Sequence, residues 1–161
     1  MNNIHCLLFD WGDTLMLDDP SDTSEMYTWE TITPMDGVVD LMPRLSQKYT
    51  CAVVSNASAS NAATMKMAFE RVNLAQYFHA FITSKELGVK KPQPEFFLRA
   101  LQQLNAGSET TVMVGNDYEK DISPAKSVGL CTILITGENG SYTHADYVLR
   151  SFAELSFLLQ D

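Results

Sequence analysis

Two apolar runs in the sequence end in acidic residues. Asp10 follows the run at residues 4–9, and Asp117 and Asp121 follow the run at residues 111–114. A carboxylate at the end of a buried strand can act as a nucleophile or as a ligand for a hard cation such as Mg²⁺. These acids therefore predict a nucleophile beside a magnesium site.

Two further positions offer groups that bind an anion. Ser55 ends the apolar run at residues 51–54, and Lys91 lies in GVKKPQP, just before a predicted helix. A hydroxyl and free backbone N–H groups at a strand-to-helix turn can hold a phosphate, and a lysine adds positive charge. Each residue alone also fits a turn, a helix cap or a surface charge. Four such clusters in order, each after a strand or opening a helix, indicate a phosphate site.

The spacing of apolar residues predicts the elements that hold these groups. Short, almost continuous apolar runs predict strands buried on both faces of a mainly parallel sheet, at residues 4–9, 51–54, 80–83, 111–114 and 131–135. Amphipathic stretches between them predict helices, at residues 37–47, 61–72, 95–104, 122–128 and 151–159. This alternation predicts a three-layer α/β/α, Rossmann-like fold, in which ligands bind beyond the carboxyl ends of the strands.

The domain organisation follows from the same alternation. We predict one domain over residues 1–161, in which residues 16–36 form a loop or small flap over the site. That segment is acidic and rich in turn residues, and it is too short to form a domain. We expect no substantial cap domain.

The composition of the chain argues against some classes of binding partner. The 161 residues include 20 acidic and 11 basic side chains, for a formal net charge of −9. This balance argues against nucleic acid as a partner, because phosphate backbones are bound by clustered Lys and Arg. No apolar segment approaches the roughly 20 residues that span a bilayer, and the first residues lack a signal-peptide pattern. We therefore expect a cytoplasmic protein without a membrane partner, in which the three cysteines are free thiols.

Four segments in order resemble the motifs of the haloacid dehalogenase-like (HAD) superfamily, whose members are mostly phosphatases. The segments are LLFDWGDTL, VVSNAS, GVKKPQP, and VMVGNDYEKD followed by AKSVGL. The resemblance extends from about residue 4 to residue 148. It implies the HAD fold and a Mg²⁺-dependent hydrolase acting on a phosphoric monoester or an acyl phosphate.

The resemblance also implies roles for individual residues. Asp10 would attack phosphorus and form an aspartyl-phosphate that water later hydrolyses. Mg²⁺ would be held by Asp10, the backbone oxygen of Gly12 and an acid of the last cluster. Asp121 is the favoured direct ligand, and Asn116 and Asp117 lie nearby or contact the metal themselves.

Other positions would bind the phosphate or the substrate. Ser55, Lys91 and the backbone N–H of Asn56 would hold the transferring oxygens. Gly12 and Trp11 are further candidates for binding the phosphate or the substrate. Trp11, Tyr27 and Trp29 could line the entrance to the site, and the equal alternative is that they pack the loop onto the body of the protein.

One position departs from the superfamily pattern. Phosphatases of the superfamily usually carry a second Asp two positions after the nucleophile, where it serves as general acid and base, but here that position is Gly12 and the acid is Asp13. Because a shift of one residue redirects a side chain, Asp13 is expected either to replace that acid or only to stabilise a turn. Without the acid the enzyme would be slow, limited to good leaving groups, or dependent on an acid from elsewhere.

The chain leaves no room for the helical cap that many superfamily members insert between the first two motifs. An uncapped site indicates a bulky phosphorylated substrate, or a neighbouring subunit that acts as a lid in a homo-oligomer. Two other functions stay open. A HAD-fold domain with weakened catalysis could bind phosphate or a partner, with Gly12 as its support. A haloacid dehalogenase would use Asp10 without magnesium, which the acids Asp117 and Asp121 count against.

Overall fold

The computed structural model describes residues 3–57 and 59–159. Its centre is a six-stranded sheet whose strands, all parallel to their neighbours, are β1 Cys6–Phe9, β2 Thr50–Ser55, β3 Ala80–Thr83, β4 Thr111–Gly115, β5 Cys131–Ile135 and β6 Tyr147–Leu149. The spatial order is β3-β2-β1-β4-β5-β6. β1 lies inside the sheet, and all four of its residues are buried because helices cover both faces.

Helices cover the sheet on both faces. They are α1 Val38–Lys48, α2 Ala62–Arg71, α3 Ser84–Leu87, α4 Pro94–Leu104, α5 Ser123–Ser127 and α6 Leu155–Leu158. Buried residues of α1, α2 and α6 pack with Leu7 and Phe9 of β1, whereas those of α4 and α5 pack with Cys6 and Leu8. Because successive strand residues point to opposite faces, these two cores lie on opposite sides of the sheet. The predicted three-layer α/β/α, Rossmann-like fold is confirmed.

The elements differ from the sequence prediction at the C-terminal half. β6 was not predicted, because it has only three residues, which are exposed or half-buried at the edge of the sheet. The helix predicted at residues 122–128 is divided into a π-helical segment, Tyr118–Ile122, and the short α5. The helix predicted at residues 151–159 is a 3₁₀ turn, Phe152–Glu154, followed by α6.

Residues 16–36, all of which the structure describes, contain one short 3₁₀ helix, Met26–Thr28. The segment leaves β1 and returns beside it, since Met16 makes isolated bridges to both Gly12 and Pro34. No helical cap is built from this segment, as the sequence predicted. We refer to residues 16–36 as the cover loop.

The three cysteines are free thiols, as predicted, and Cys6 and Cys51 are buried. Burial raises the pKa of the Cys51 thiol to about 12 and that of Cys6 to about 11, so neither is a reactive thiolate. Within the described ranges, none of the helices has the length and apolar character needed to cross a bilayer.

Candidate active site

The register of the sheet brings the candidate residues to one edge. Phe9 of β1 pairs with Val53 of β2 on one side and with Val114 of β4 on the other. The residues that follow these three strands therefore emerge side by side, although they are far apart in sequence. Asp10 hydrogen-bonds through its backbone N–H to the carbonyl of Val114, at 3.0 Å.

Lys91 is buried between two carboxylates. Its Nζ lies 2.6 Å from Asp10 Oδ1 and 2.6 Å from Asp121 Oδ1, and it also donates to the carbonyl of Val54 at 3.2 Å. Its side chain is only 3% exposed, whereas the adjacent Lys90 is exposed. Of the two lysines in GVKKPQP, the structure therefore brings Lys91 to the site.

Asn56 fixes the backbone of Lys91. Its side-chain oxygen accepts from the N–H of Lys91 at 2.8 Å, and its side-chain nitrogen donates to the Lys91 carbonyl at 3.0 Å. The carbonyl of Asn56 accepts in turn from Ser84 Oγ at 2.8 Å. Sequence reasoning considered only the backbone N–H of Asn56 and missed this paired contact, which carries no pattern in the sequence.

The side chain of Asp121 packs against Gly115, the last residue of β4. Its Oδ2 accepts from the backbone N–H of Asp117 at 3.1 Å, and its side chain is 1% exposed. A Cβ on Gly115 would lie 2.4 Å from that same oxygen, so only glycine leaves room for Asp121 here. The absence of a side chain at position 115 therefore helps to place Asp121 within reach of Lys91.

The pKa values of the buried pair follow from this geometry. Burial raises the pKa of the Asp121 carboxyl, and the negative charge of Asp10 raises it further, while Lys91 acts in the opposite direction. Burial alone would lower the pKa of Lys91, but the two carboxylates overcome that effect and raise it. Lys91 is therefore charged, and it compensates the negative charge that is concentrated around it.

A group of oxygen atoms surrounds the side chain of Asn116. With its oxygen turned toward β1, Asn116 lies 3.1 Å from Asp10 Oδ2 and 3.2 Å from the carbonyl oxygen of Gly12, and it accepts from Thr14 Oγ1 at 3.1 Å. With its nitrogen turned that way, it donates to the same three oxygens. The nitrogen orientation satisfies all three oxygens, so Asn116 links Asp10, the Gly12 carbonyl and Thr14.

A cavity of about 520 Å³ opens beside these residues. Its lining includes Asp18 and Trp29 of the cover loop together with Gly12 and Ser55. A Cβ on Gly12 would lie 3.1 Å from both Cβ and Oδ2 of Asp18, so the Asp18 carboxyl group closely approaches the side of Gly12. Partial burial raises the pKa of Asp18, as do the nearby charges of Asp13 and Asp10.

Two contacts tie the cover loop to α2. The guanidinium of Arg71 donates to the carbonyls of Tyr27 and Glu30, at 2.8 and 3.1 Å, and also to that of Trp29. Thr64 Oγ1 donates to Glu25 Oε1 at 2.6 Å. Because these bonds hold the loop backbone, the wall of the cavity is fixed by α2 rather than by the loop alone.

Comparison with known families assigns the chain. The family model described as haloacid dehalogenase-like hydrolase matches residues 17–135, most of the chain. The chain belongs to this family. The family resemblance inferred from the four motifs is thereby confirmed.

Curated proteins that are related to this chain include named phosphatases. A glyceraldehyde 3-phosphate phosphatase of Methanocaldococcus jannaschii is 37% identical over 91 residues, which are 53% of this chain and 39% of that protein. A ribulose-1,5-bisphosphate 5-phosphatase of Halopiger xanaduensis is 33% identical over 124 residues, 76% of this chain and 49% of that protein. A pyrimidine 5′-nucleotidase of Escherichia coli is 32% identical over 104 residues, 64% and 45% of the two chains. The chain spans less than half the length of these relatives.

Several solved structures share the fold of this chain. An uncharacterized protein of Listeria monocytogenes serotype 4b superposes with a TM-score of 0.84 at 21% identity and covers 97% of both chains. A HAD phosphatase of Thermococcus onnurineus superposes with a TM-score of 0.79 at 18% identity and covers 98% of both. At these identities the similarity shows the fold alone.

Two of the candidate acids, Asp13 and Asp117, accept hydrogen bonds from nearby backbone N–H groups. Asp13 is exposed and has a left-handed backbone with φ of 56°, and its Oδ1 accepts from the backbone N–H of Asp18 at 3.0 Å. Asp117 Oδ1 accepts from the N–H groups of Glu119 and Lys120, at 3.0 and 2.9 Å, and so caps the π-helical segment. Both carboxylates are engaged in local turns, which is the structural alternative raised for Asp13.

Trp11 is buried rather than displayed at an entrance. Its side chain is part of the core with 6% exposure, and its ring lies 6.2 Å from that of Phe69 in α2. Its indole Nε1 is buried without a hydrogen-bond partner in the described part of the chain. Trp11 also contributes to the floor of the cavity, so the two alternatives stated for this residue both hold in part.

Proposed function

We propose that this HAD-family chain is a Mg²⁺-dependent phosphatase in which the carboxylate of Asp10 attacks the phosphoryl group. One observation carries the proposal: Asp10 stands at the end of a central strand, 2.6 Å from a buried lysine and beside a group of oxygens. The named phosphatases among the relatives support the same reaction class. The substrate is a phosphorylated compound that reaches the cavity from the side of the cover loop.

The donor atoms around Asp10 fit magnesium. The Asn116 amide atom that faces β1 lies 3.1 Å from Asp10 Oδ2 and 3.2 Å from the Gly12 carbonyl oxygen, close to the separation of about 3 Å between adjacent ligands of an octahedral Mg²⁺. No group of three or more His, Cys, Asp or Glu side chains that could hold a metal occurs in the described ranges, so carbonyl and carboxamide oxygens complete the set. Asp121 remains a candidate donor, because its Oδ1 accepts from Lys91 and its Oδ2 from the N–H of Asp117, and a carboxylate oxygen can accept more than one such contact. We omit Asp117, whose carboxylate caps a turn.

The charge of the site also requires a cation. Two carboxyl groups, of Asp10 and Asp121, face the single positive charge of Lys91, so ionised carboxylates here would repel an approaching phosphate dianion. Bound magnesium would offset this charge and polarise a phosphoryl oxygen. The carboxamide of Asn116 would then present its oxygen, whereas its nitrogen orientation satisfies the same atoms without the ion.

In the first step an oxygen of Asp10 attacks phosphorus. The bond between that oxygen and phosphorus forms as the bond from phosphorus to the leaving oxygen breaks, and the leaving oxygen takes up a proton. Lys91 orients the Asp10 carboxylate and provides positive charge near the transferring oxygens. Ser55 and the backbone N–H of Asn56, at the end of β2, would bind those oxygens in the transition state.

In the second step water hydrolyses the aspartyl-phosphate. The water oxygen attacks phosphorus, the bond from phosphorus to the Asp10 oxygen breaks, and a general base receives a proton from the water. Inorganic phosphate leaves and the Asp10 carboxylate is restored.

The cavity bears on the size of the substrate. Its volume of about 520 Å³ lies within the roughly 300–1,000 Å³ that is common for small-molecule sites. We therefore place small phosphate esters first, such as sugar phosphates and pyrimidine nucleotides. A bulky phosphorylated substrate, expected from the uncapped site, is the second class, and a neighbouring subunit could complete the cover.

The test is phosphate release by the purified protein. The substrates are p-nitrophenyl phosphate, acetyl phosphate, glyceraldehyde 3-phosphate, ribulose 1,5-bisphosphate, pyrimidine nucleotides and a phosphopeptide, each with Mg²⁺ and with a chelator. Asp10→Asn, which is nearly isosteric, is expected to remove turnover of every substrate. Asp40→Asn changes an exposed acid on α1 and serves as the matched control.

Each result separates the candidate functions. Magnesium-dependent release that is lost only in Asp10→Asn supports the proposal, and undiminished release by that variant would exclude Asp10 as nucleophile. Halide release from a 2-haloacid without magnesium would indicate the dehalogenase instead. Binding of inorganic phosphate with no release from any compound would indicate a binding module.

A further inference from the structure

The proposed reaction needs a group that gives a proton to the leaving oxygen and later takes one from water. Position 12, two residues after Asp10, offers no side chain for this. The structure, however, fills the space beside Gly12 with a carboxyl group from another segment. The Cβ that a side chain at position 12 would require lies 3.1 Å from Oδ2 of Asp18.

Asp18 also lines the cavity to which Gly12 and Ser55 contribute. Its backbone N–H is held at 3.0 Å by the carboxylate of Asp13. That bond joins the turn after β1 to the first residues of the cover loop. Asp13, the nearest acid to position 12 in sequence, therefore acts as a support for Asp18.

The neighbouring acids of the cover loop are engaged in local turns. Asp19 Oδ1 accepts from the N–H and hydroxyl of Ser21, at 2.9 and 2.6 Å. Asp22 Oδ1 accepts in the same way from Ser24, at 2.8 and 2.5 Å. Of these three acids, Asp18 is the one whose carboxyl group lies against Gly12.

We propose that Asp18 is the general acid and base of the reaction, supplied by the cover loop to the place that Gly12 leaves open. This inference rests on the proposed function. In the first step the Asp18 carboxylic acid gives its proton to the leaving oxygen as the phosphorus–oxygen bond breaks. In the second step the Asp18 carboxylate takes a proton from the attacking water, so that one proton is given and one is regained per turnover.

Under this proposal, the loss of rate on removal of the Asp18 carboxyl group depends on how basic the leaving group is. Alkyl phosphates leave as strongly basic alkoxides and need the proton, whereas p-nitrophenyl phosphate and acetyl phosphate have weakly basic leaving groups. General acid catalysis is worth about 100- to 10,000-fold. Asp18→Asn is therefore expected to lose that factor on glycerol and sugar phosphates, and less than about tenfold in the phosphorylation step with the two activated substrates.

The experiment compares single-turnover phosphorylation rates with both substrate types. The control Glu30→Gln removes an exposed carboxylate from the same loop, and it should leave both rates unchanged. Circular dichroism and thermal unfolding show that each variant is folded. Asp10→Asn is run in parallel: activity that survives in it would overturn the proposed function, whereas the result for Asp18 tests only this inference.

A second variant keeps the inference falsifiable if Asp18→Asn alters the loop. In the double variant Gly12→Asp/Asp18→Ala, the removal of the Asp18 carboxyl group leaves room for the new carboxyl at position 12, and alkyl phosphate turnover should recover at least tenfold over Asp18→Ala. Equal loss on activated and alkyl substrates, or no loss in Asp18→Asn, would overturn the assignment. So would a parent protein that hydrolyses only the activated compounds.

Discussion

Lys91 and Asp121 face each other at 2.6 Å with side chains that are 3% and 1% exposed. Such a pair is expensive to form, because both charges must leave water, but it is more expensive to break by removing one partner. The second carboxylate on Lys91, from Asp10, is 15% exposed and is therefore the more accessible of the two. The lysine therefore joins a buried structural acid to the proposed nucleophile.

Replacing Lys91 allows its contribution to stability and its contribution to activity to be measured separately. Lys91→Met leaves Asp121 buried without its partner, so we expect a loss of about 3–5 kcal/mol in the free energy of unfolding, together with loss of phosphatase activity. Urea unfolding and phosphate release measure the two effects. Lys90→Met changes an exposed neighbour and should stay within about 0.5 kcal/mol of the parent.

The double variant Lys91→Met/Asp121→Asn tests the reason for that loss. Because it removes the buried charge as well as its partner, it should recover part of the stability while activity stays absent. A double variant as unstable as Lys91→Met would show that lost packing, rather than the uncompensated charge, causes the effect.

A second prediction concerns the space that Gly115 leaves for the side chain of Asp121. Its Cβ would meet the Asp121 carboxylate at 2.4 Å, so Gly115→Ala should cost about 1–3 kcal/mol through overpacking and displace Asp121 from Lys91. Gly137→Ala is the matched control, because nothing lies within 4 Å of a Cβ there. Thermal unfolding compares the two, and equal stability of both variants would contradict the contact.

Arg71 allows the anchoring of the cover loop to be tested. Arg71→Met removes the donors to three loop carbonyls, so we expect faster protease cleavage within residues 17–30 and a several-fold higher KM. The control Lys66→Met lies on the same helix and breaks only an exposed pair with Glu70 at 3.9 Å, which is worth little. Cleavage at the same rate in both variants would mean that the loop is held by other contacts.

Asp146 makes the stability dependent on pH. Its carboxylate accepts from Lys126 Nζ at 2.5 Å and from the backbone N–H of Thr132 at 2.9 Å. Burial opposes ionisation, but these bonds outweigh it and lower the pKa of Asp146. Because its pKa is lowered in the folded state, ionised Asp146 stabilises the folded protein at pH values above the unfolded-state pKa of about 3.9. This stabilisation is lost as the pH falls through the folded-state pKa.

Asp146→Ala should therefore reduce the free energy of unfolding by about 1–2 kcal/mol at pH 7, and the difference from the parent should shrink below about pH 4. Urea unfolding at pH 7, 5 and 3 measures this difference. The control Glu138→Ala alters an exposed acid on the preceding loop. A difference that persists unchanged at pH 3 would show that packing of the side chain, rather than its charge, matters.

The sequence predicted the sheet well where a strand is a continuous apolar run. β3 and β5 were predicted at their observed bounds, because the residues of each are mostly apolar and buried or half-buried, although β3 lies at an edge of the sheet. β6, at the other edge, has only three residues, and Tyr147 and Val148 are exposed. So short and exposed a strand leaves no distinct apolar run in the sequence.

The site was predictable to the same extent. Asp10, Lys91 and Asp121 were predicted to meet because parallel strands end at one edge of a sheet, and they do meet. The position of Asp18 could not be predicted, since it depends on the left-handed turn at Asp13 and on the path of a loop that α2 holds through Arg71. The catalytic roles of all these residues stay predictions.

The order of the strands has a consequence for how the protein is made. β1 completes its pairing only when β4 docks against it, and most of the chain lies between the two. Pairings between segments so distant in sequence form slowly during folding. Because Asp10 precedes Lys91 and Asp121 in the chain, a chain that ends before them carries the Asp10 carboxylate without the charges that surround it in the folded domain. Under the proposed function, such a chain is expected to be inactive toward phosphate esters.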